Sequence, residues 1–348
     1  MKFRPSHVSL ALATGLFLFG ALFLFAPRNS HAQEGVLESE IEITARARLF
    51  PDVGPGIKAM KRDSQGRYYF LSTVDHAVRI YSADNTFLGQ VPRADSGKTA
   101  IVDGEDFDVD AAGRIYVADR SANAVKVYTP DGSLSLSIRV DSPSSVVALA
   151  SGQIAVASLK SRQLVVIYDA HGKYVREFGD ISDLADHEEF NRFLNIGQLA
   201  SDPASHIYYA FTYTPEPTVR KYDPFGHSPY EISLHTLDIY PSAQAQRRDI
   251  SRIDMQNTAQ PPPPVVINAI GVDPQTEEVW LSLGDYLMKF DKSGNRVESY
   301  RTLTTSSEDL PASAILIEPH RILLADDPHG IFEFARPDLP VTAPAKTK

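Results

Sequence analysis

Apolar and polar residues alternate along most of the chain in short segments, which are separated by turns rich in Asp, Gly and Pro. The segment from Val125 to Tyr128, for example, alternates apolar and basic side chains. Alternation of this kind is typical of β-strands, because successive side chains point to opposite faces of a sheet. Helical repeats would show a period of about 3.6 residues, which these segments lack. The pattern therefore predicts a chain built mainly of short strands.

The strand pattern recurs as a repeated unit. The stretch from Asp63 to Asp84 superimposes without a gap on the stretch from Asp110 to Asp131, 47 residues later. Further copies begin near Ser151, Asp202, Asp273 and Glu318. Each copy reads as strand, Asp/Gly turn, strand, polar link, strand, Asp/Gly turn and outer strand. Four antiparallel strands repeated at about 40 to 50 residues are typical of β-propeller blades, because one such sheet cannot bury both of its faces alone.

The sixth copy ends after three strands. An alternating segment, Ser39 to Phe50, lies just upstream of the first copy, and we expect it to supply the missing outer strand. Such closure pairs an open sheet edge and joins the chain ends without a covalent bond. The sequence thus predicts an all-β fold over residues 39–336. That fold is a six-bladed β-propeller of four-stranded antiparallel blades, with the N-terminal strand closing the last blade.

The second copy also carries a family resemblance. Its segment Gly113 to Val117, followed by Ala118 to Tyr128, resembles the NHL repeat. The chain as a whole is similar to bacterial, exported six-bladed propellers of the NHL type. The first copy matches well, the third to fifth keep the strand pattern without the Ala-Asp pair, and the sixth is degenerate. The resemblance implies the same six-bladed fold.

Two segments interrupt the blade pattern, at about residues 180–195 and 235–265. The first has helical spacing and acidic residues at its start, which predicts a short capped helix. The second, Tyr240 to Gln256, has helix-compatible composition after Pro241 and is followed by a stiff spacer at Pro261 to Pro264. We expect both helical inserts to lie over one face of the ring as a lid. Candidate binding residues on this face are His187, Phe190, Arg247 and Arg248.

The chain ends lie outside the blade pattern. In residues 1–32, positive residues precede an apolar run and small residues follow it, as in a secretory signal peptide. The run, Val8 to Ala26, approaches the roughly 20 residues of a membrane span, so an uncleaved anchor is the alternative. Residues 33–38 are expected to be a linker and 337–348 a disordered tail. We therefore expect a secreted or periplasmic protein, with membrane anchoring as the alternative.

Composition and charge restrict the classes of function. The 348 residues include no Cys and carry a formal net charge of −10. Without Cys the chain has no disulfide, thiolate metal site or cysteine nucleophile, so its strong metal ligands are His and carboxylates. The acidic balance disfavours nucleic acid, and neither a Gly-x-Ser-x-Gly nor a phosphate-loop motif is present. The expected partner is a protein, peptide or glycan, with membrane contact only through an uncleaved anchor.

The register of the repeats predicts which side chains line the central channel. Five residues before each turn Asp, where the first strand of a blade begins, the copies carry Lys58, Glu105, Gly197 and Asn268, with Ser145 and Ala312 at less regular equivalents. Glu105 and Asn268 belong to opposite blades and would face each other across the axis. Lys58 is expected beside Glu105, where it would neutralise the carboxylate.

A second resemblance concerns this channel. Six-bladed lactonases and related hydrolases hold a catalytic calcium at such a place with Glu, Asn and Asp side chains, and the stretch Asn268 to Asp273 is similar to one of their metal-binding stretches. The resemblance implies Glu105 and Asn268 as catalytic residues or calcium ligands. Lyases of the NHL-propeller type would instead need several His at the axis, whereas the His residues here fall in turns, inserts and links.

Five carboxylates cluster in the second copy: Asp103, Glu105, Asp106, Asp108 and Asp110. Such a set offers oxygen ligands for calcium. Strand alternation would place Glu105 and Phe107 on one side and Asp106 and Asp108 on the other, so only part of the set is expected to converge.

Other charged residues have structural interpretations. Asp119 and Asp326, after second strands, are expected to bond backbone amides. Basic residues of the third strands, Arg79, Lys126, Arg220 and Lys221, are expected on the exposed edge of each blade.

The main hypothesis is an exported binding or scaffold module that acts through the insert-bearing face and channel mouth without a cofactor. The alternative is a metal-dependent lactonase-like or lyase-like enzyme, with calcium at Glu105 and Asn268.

Overall fold

The computed structural model describes residues 41–93, 97–256 and 261–339. The predicted signal segment and linker, residues 1–38, lie outside these ranges, as do residues 340–348 of the predicted tail. In chain order the elements are β1 (Ile41–Thr44), β2 (Ala47–Leu49), β3 (Ile57–Arg62), β4 (Tyr68–Ser72), β5 (Ala77–Tyr81), β6 (Phe87–Val91), a 3₁₀ helix (Gly97–Thr99), β7 (Gly104–Val109), β8 (Ile115–Asp119), β9 (Ala124–Tyr128), β10 (Leu134–Arg139), β11 (Pro143–Ala148), β12 (Ile154–Ser158), β13 (Val165–Tyr168), β14 (Tyr174–Phe178), α1 (Glu188–Leu194), β15 (Gly197–Ser201), β16 (Ile207–Phe211), β17 (Thr218–Tyr222), β18 (Tyr230–Ser233), α2 (Tyr240–Gln256), β19 (Ala269–Val272), β20 (Val279–Leu283), β21 (Tyr286–Phe290), β22 (Arg296–Leu303), β23 (Ala314–Ile317), β24 (Arg321–Asp326) and β25 (Gly330–Ala335).

These strands form six sheets, one for each copy of the repeat. Blades one to four are the antiparallel meanders β3–β6, β7–β10, β11–β14 and β15–β18; blade five contains β19–β22 and blade six β23–β25. The first strand of each blade contacts the first strand of the next, and β23 of blade six contacts β3 of blade one. The predicted six-bladed propeller of four-stranded blades is therefore confirmed.

Packing between blades explains why the middle strands read as almost continuous apolar runs. Every residue of β4 and β8 is buried, because neighbouring blades cover both faces of these strands. The outer strand β10 alternates between exposed and less exposed positions. Buried side chains form six apolar clusters, one at each junction between adjacent blades. The core is thus a ring of six interfaces around the channel.

The N-terminal segment closes the ring, as predicted, but it does so as two strands. β2 pairs antiparallel with β25 and completes blade six, whereas β1 pairs parallel with β22 and adds a fifth strand to blade five. Between them the backbone N–H of Ala45 donates to Leu303 and that of Arg46 to Glu333. Ala45 is buried in the apolar cluster between blades five and six. The segment therefore ties both blades together.

The C-terminal residues beyond β25 also bind to the ring. Arg336 is buried and pairs with Asp273 of blade five and with Asp338. Asp338 in turn accepts a 2.8 Å hydrogen bond from Nζ of Lys289 in β21. These ion pairs hold the chain that follows blade six against blade five.

Both inserts leave the ring on the same face. Each connects the outer strand of one blade to the first strand of the next: α1 lies between β14 and β15, and α2 between β18 and β19. Such connections lie where the first strands begin, because the four strands of a blade alternate in direction. We call this side of the ring the insert face. The prediction of two helical inserts on one face is confirmed.

Candidate functional site at the mouth of the channel

A one-residue irregularity at the start of the first three blades aims side chains into the channel. The pairing register shifts between Ile57 and Ala59 in β3, between Gly104 and Asp106 in β7, and at the corresponding point of β11. Such bulges interrupt the alternation of a strand and re-aim a side chain. Lys58, Glu105 and Ser144 are the residues at the shifts.

These residues line a cavity of about 390 Å³ at the channel mouth. The first strands of all six blades contribute to it, and Arg120, Phe193, Tyr213 and Val265 complete its wall. We call this space the channel cavity. No histidine is among its lining residues in the described parts of the chain.

Four of the six residues that the register predicts in the channel do line it, and two do not. Lys58, Glu105, Gly197 and Asn268 line the channel cavity. Ser145 and Ala312 do not: they are buried, and their neighbours Ser144 and Ser313 line it instead. The prediction that Glu105 and Phe107 share one side of the strand, with Asp106 on the other, is wrong. Phe107 is fully buried, whereas Glu105 and Asp106 both line the cavity. The bulge after Gly104 causes this difference.

Glu105 is held between two cations. One carboxylate oxygen lies 2.9 Å from Nζ of Lys58, as expected, and the other lies 2.9 Å from Nη1 of Arg120. Arg120 follows β8, and its backbone N–H donates to Asp103. Across the cavity, the side-chain oxygen of Asn268 accepts a 3.0 Å hydrogen bond from the N–H of Gly284. The candidate metal ligands therefore already have protein partners.

A second group of charges lies further along the same strands. Lys61 lies 3.5 Å from a carboxylate oxygen of Asp108. Burial alone would lower the pKa of Lys61, but the carboxylates of Asp108 and Asp106 raise it above its ordinary value. Burial raises the pKa of Asp106, and Lys61 and Ser145 only partly offset this effect. Lys61 is thus firmly protonated, whereas Asp106 binds a proton more readily than an exposed Asp.

The five clustered carboxylates bind separate partners. Asp106 accepts hydrogen bonds from the Ser145 hydroxyl and the Val146 amide, and Asp108 accepts one from the Ala148 amide. Asp103 and Asp110 lie at opposite ends of the strand, where Ser121 and Arg114 bind them. Within the described ranges, three side chains that could hold a metal ion together lie only outside this cluster.

That group, Asp202, His206 and Glu277, belongs to a repeated structural motif. Ligand atoms of the three residues lie within 4.8 Å of one another. Asp202 accepts hydrogen bonds from His206 and from the Tyr208 hydroxyl. The same turn in the first two blades joins Asp63 to Arg67 and Tyr69, and Asp110 to Arg114 and Tyr116. His206 therefore takes the place of an arginine, and Nζ of Lys221 lies 3.3 Å from Glu277 and 3.8 Å from Asp202.

Lysines of the third strands are buried, which corrects the expectation that they lie on exposed edges. Lys126, Lys221 and Lys289 are each about 5 or 6% exposed, and each pairs with a carboxylate. Asp119, the partner of Lys126, also accepts from the amides of Val102 and Asp103, as predicted. Asp326 also has a backbone hydrogen bond, from Asp327, and it binds the ring of His329 at 2.6 Å. Strand alternation predicted exposed lysines because it assumes that one face of the strand meets water. In this fold neighbouring blades cover both faces.

The two inserts are joined to each other. Asp254, near the end of α2, accepts hydrogen bonds from the backbone N–H groups of Asp186 and His187 and from the His187 ring. His187 is the N-cap of α1 and makes no side-chain capping bond, so the predicted cap is absent. Asp254 instead binds the two amides at the entry to the helix, those of Asp186 and His187. Glu188 and Glu189 occupy the first turn of α1, as predicted.

The four candidate binding residues lie on the two joined inserts, which we call the lid, and differ in how exposed their side chains are. The His187 side chain is 46% exposed, and Phe190 is partly buried with its ring centroid 6.4 Å from that of Phe193. Arg247 is 52% exposed and binds Glu216, whereas Arg248 is exposed on α2. Phe193 and Tyr213, which line the channel cavity, were not among the sequence candidates. Their aromatic character was visible, but their place at the mouth depends on tertiary packing.

The fold and its channel define a six-bladed β-propeller. No protein-family model matches the sequence, and no curated protein matches it. Similar solved structures include an inactive variant of virginiamycin B lyase from Staphylococcus aureus with quinupristin (TM-score 0.52, 11% identity, 82% of each chain covered) and a streptogramin B lyase (0.52, 12%, 83% and 85%). Another is hydrazine synthase of Kuenenia stuttgartiensis (0.52, 11%, 81% and 96%). At such low identity the likeness shows the fold alone.

Helix length and hydropathy bear on membrane insertion. Within residues 41–93, 97–256 and 261–339, no helix is both long and apolar enough to cross a membrane.

Proposed function

We propose that this protein is a binding module that engages a protein, peptide or glycan through the insert face and the channel mouth. The observation that supports it best is the placement of both inserts on one face, tied together by Asp254, beside an open cavity of about 390 Å³. Binding residues of rigid folds are concentrated on such long connections.

Exposed apolar side chains on the second insert support the same proposal. Leu237 is 88% exposed, Tyr240 61%, Met255 79% and Val265 45%. Large apolar side chains that face water are found at many interaction surfaces. Tyr240 and Met255 lie near opposite ends of α2, so a partner that covers both would extend along the helix.

Arrays of peptides and glycans, probed with the full chain, test this proposal. For any ligand that binds, we expect Tyr240→Ala, Met255→Ala and Arg248→Ala together to weaken binding by about tenfold or more, since the loss of one hot-spot residue alone costs about 2 kcal/mol. The matched control is Phe87→Ala with Leu88→Ala, two exposed apolar residues on the outer strand β6. Equal loss in both variants, or no loss in the first, would contradict a role of the insert face.

A metal-dependent lactonase-like or lyase-like enzyme is the second candidate. Its support is that Glu105 and Asn268 line one cavity, and that lyases are among the structures with this fold. Against it, both oxygens of Glu105 face cations and the side-chain oxygen of Asn268 binds a backbone amide. Metal content, with thermal shifts in calcium and zinc, tests it: bound ion and a shift that Glu105→Gln abolishes would favour the enzyme.

The proposal also covers where the protein acts and which other partners it has. We infer export to the periplasm or the exterior from the signal-like residues 1–32, with an uncleaved anchor as the alternative. Nucleic acid is not proposed as a partner because the net charge of −10 opposes phosphate binding. The binding role needs no cofactor, and calcium belongs only to the enzyme alternative.

A further inference from the structure

We propose that the channel cavity binds a ligand that carries a carboxylate next to a flat apolar or aromatic group. In this assignment Lys58 and Arg120 hold the carboxylate, and Phe193 and Tyr213 hold the flat group. The inference rests on the proposed binding function and names the chemistry of its ligand at the channel mouth.

The charge of the cavity favours an anion. At the mouth the two cations Lys58 and Arg120 share the single carboxylate of Glu105, whereas Lys61, further along the strand, lies beside the carboxylates of Asp106 and Asp108. The whole chain has the opposite balance, with a net charge of −10. A cationic recess in an acidic protein attracts anions to that place, because low-dielectric walls focus the local field.

The two cations at the mouth have hydrogen-bonding capacity beyond what Glu105 uses. The Lys58 side chain is 45% exposed and that of Arg120 is 35% exposed. An ammonium group has three donors and a guanidinium five, whereas each contributes one close contact to Glu105. Glu105 therefore holds both cations in place and leaves donors on each for a ligand carboxylate. Charge-assisted bonds of this kind are stronger than neutral ones.

A bound cation fits this place less well. It would have to replace Lys58 and Arg120 as the partners of Glu105, and the side-chain oxygen of Asn268 is already engaged by Gly284. An anion requires no such exchange, since it adds to the side of the cations that faces the cavity.

The aromatic wall supplies the second half of the ligand's chemistry. The rings of Phe193 and Tyr213 lie 4.8 Å apart with a tilt of 30°, and both line the cavity beside Val265. Burial raises the pKa of Tyr213, so its hydroxyl stays protonated and can donate a hydrogen bond. Rings placed in this way bind flat apolar or aromatic groups by stacking.

Phenylacetate and its neutral analogue phenylacetamide test the assignment, in calorimetric or NMR titrations of the full chain at pH 7. We expect phenylacetate to bind at least about tenfold more tightly than phenylacetamide, because only the acid forms charge-assisted bonds. Lys58→Gln and Arg120→Gln should each weaken phenylacetate binding about tenfold, and Phe193→Ala should weaken both probes. Arg139→Gln is the matched control, since that side chain is 91% exposed on the outer strand β10.

Several outcomes would overturn the assignment. One is equal affinity for phenylacetate and phenylacetamide, and another is no binding of phenylacetate at about 10 mM. A third is that Arg139→Gln weakens phenylacetate binding as much as Lys58→Gln does. Lys58 is exposed, so its substitution keeps the test valid if Arg120→Gln fails to fold. If phenylacetate does not bind while the α2 variants still lose their array ligands, the carboxylate assignment fails and the binding proposal stands. If phenylacetate binds as expected but α2 variants change nothing, the proposed role of the insert face fails instead.

Discussion

At the scale of single residues, this propeller contains several buried cationic side chains. Lys126, Lys221, Lys289 and Arg336 are almost fully buried, and each lies against at least one carboxylate. Removing a charge from water costs several kcal/mol, so such a residue is tolerated only where partners offset that cost. Loss of one partner then leaves an uncompensated buried charge. We therefore predict that these carboxylates control stability rather than ligand binding.

Asp338 allows a test with a defined pH dependence. Burial alone would raise its pKa, but hydrogen bonds from Arg336 and Lys289 lower it from 3.8 to about 2. Because the folded-state pKa is depressed, the stabilisation is fully present above the unfolded pKa and is lost as pH falls from about 4 to about 2. Asp338→Asn should cost about 2 kcal/mol at pH 7 in urea unfolding, and less at pH 3.

Asp141→Asn is the control for this experiment. Asp141 is 62% exposed and lies 3.9 Å from Arg139, so its loss should change the free energy of unfolding by less than about 1 kcal/mol. A cost for Asp338→Asn that is the same at pH 3 and pH 7 would show that the ion pairs are not its source.

Among the elements, the strands and inserts follow from the sequence, whereas their irregularities do not. The repeats predicted the four-strand blades, because period-two alternation and turn residues are local signals. Composition predicted a helix after Pro241, and α2 covers that segment. The bulge that turns Glu105 toward the cavity has no such signal, since it depends on how β7 pairs with β8. The division of the N-terminal strand at Ala45 and Arg46 likewise depends on two different partner strands. The register thus predicted that Glu105 and Asn268 line the channel but missed Arg120, Phe193 and Tyr213.

The lid is the element whose behaviour depends on one side chain. Asp254→Ala removes the acceptor for the amides of Asp186 and His187 and for the His187 ring. We expect faster amide hydrogen exchange in residues 182–194 by about tenfold or more, since a lost hydrogen bond to a charged group is worth about 1.5–3 kcal/mol. The blades should exchange as in the wild type.

Asp249→Ala is the matched control for the lid, because Asp249 lies on the same helix and pairs with Arg252 at the surface. Exchange in residues 182–194 should be unchanged in this variant. If both variants accelerate exchange equally, or neither does, Asp254 does not join the two inserts.

At the scale of the whole molecule, ring closure replaces the covalent link that a chain without Cys lacks. β2 completes blade six, and the chain then passes directly into the interface between blades six and one. At that interface Phe50 is 4% exposed, and its ring lies 4.7 Å from Phe70 and 5.2 Å from both Tyr68 and Tyr81. Each blade is stabilised mainly by its neighbours, so a defect at the closing interface exposes the edges of two blades.

Phe50→Ala should therefore destabilise the whole ring. The expected cost is about 3 to 5 kcal/mol in urea unfolding, the range for a large aromatic residue removed from a packed core. Phe87→Ala is the control: Phe87 also contacts Tyr81, at 5.4 Å, but it lies on an outer strand and is 47% exposed, so its loss should cost less than about 1 kcal/mol. Because the six interfaces form a closed ring, the variant should unfold in one transition at lower urea. Two separate transitions, with blades two to five retained, would show that closure through Phe50 is not what makes the ring cooperative.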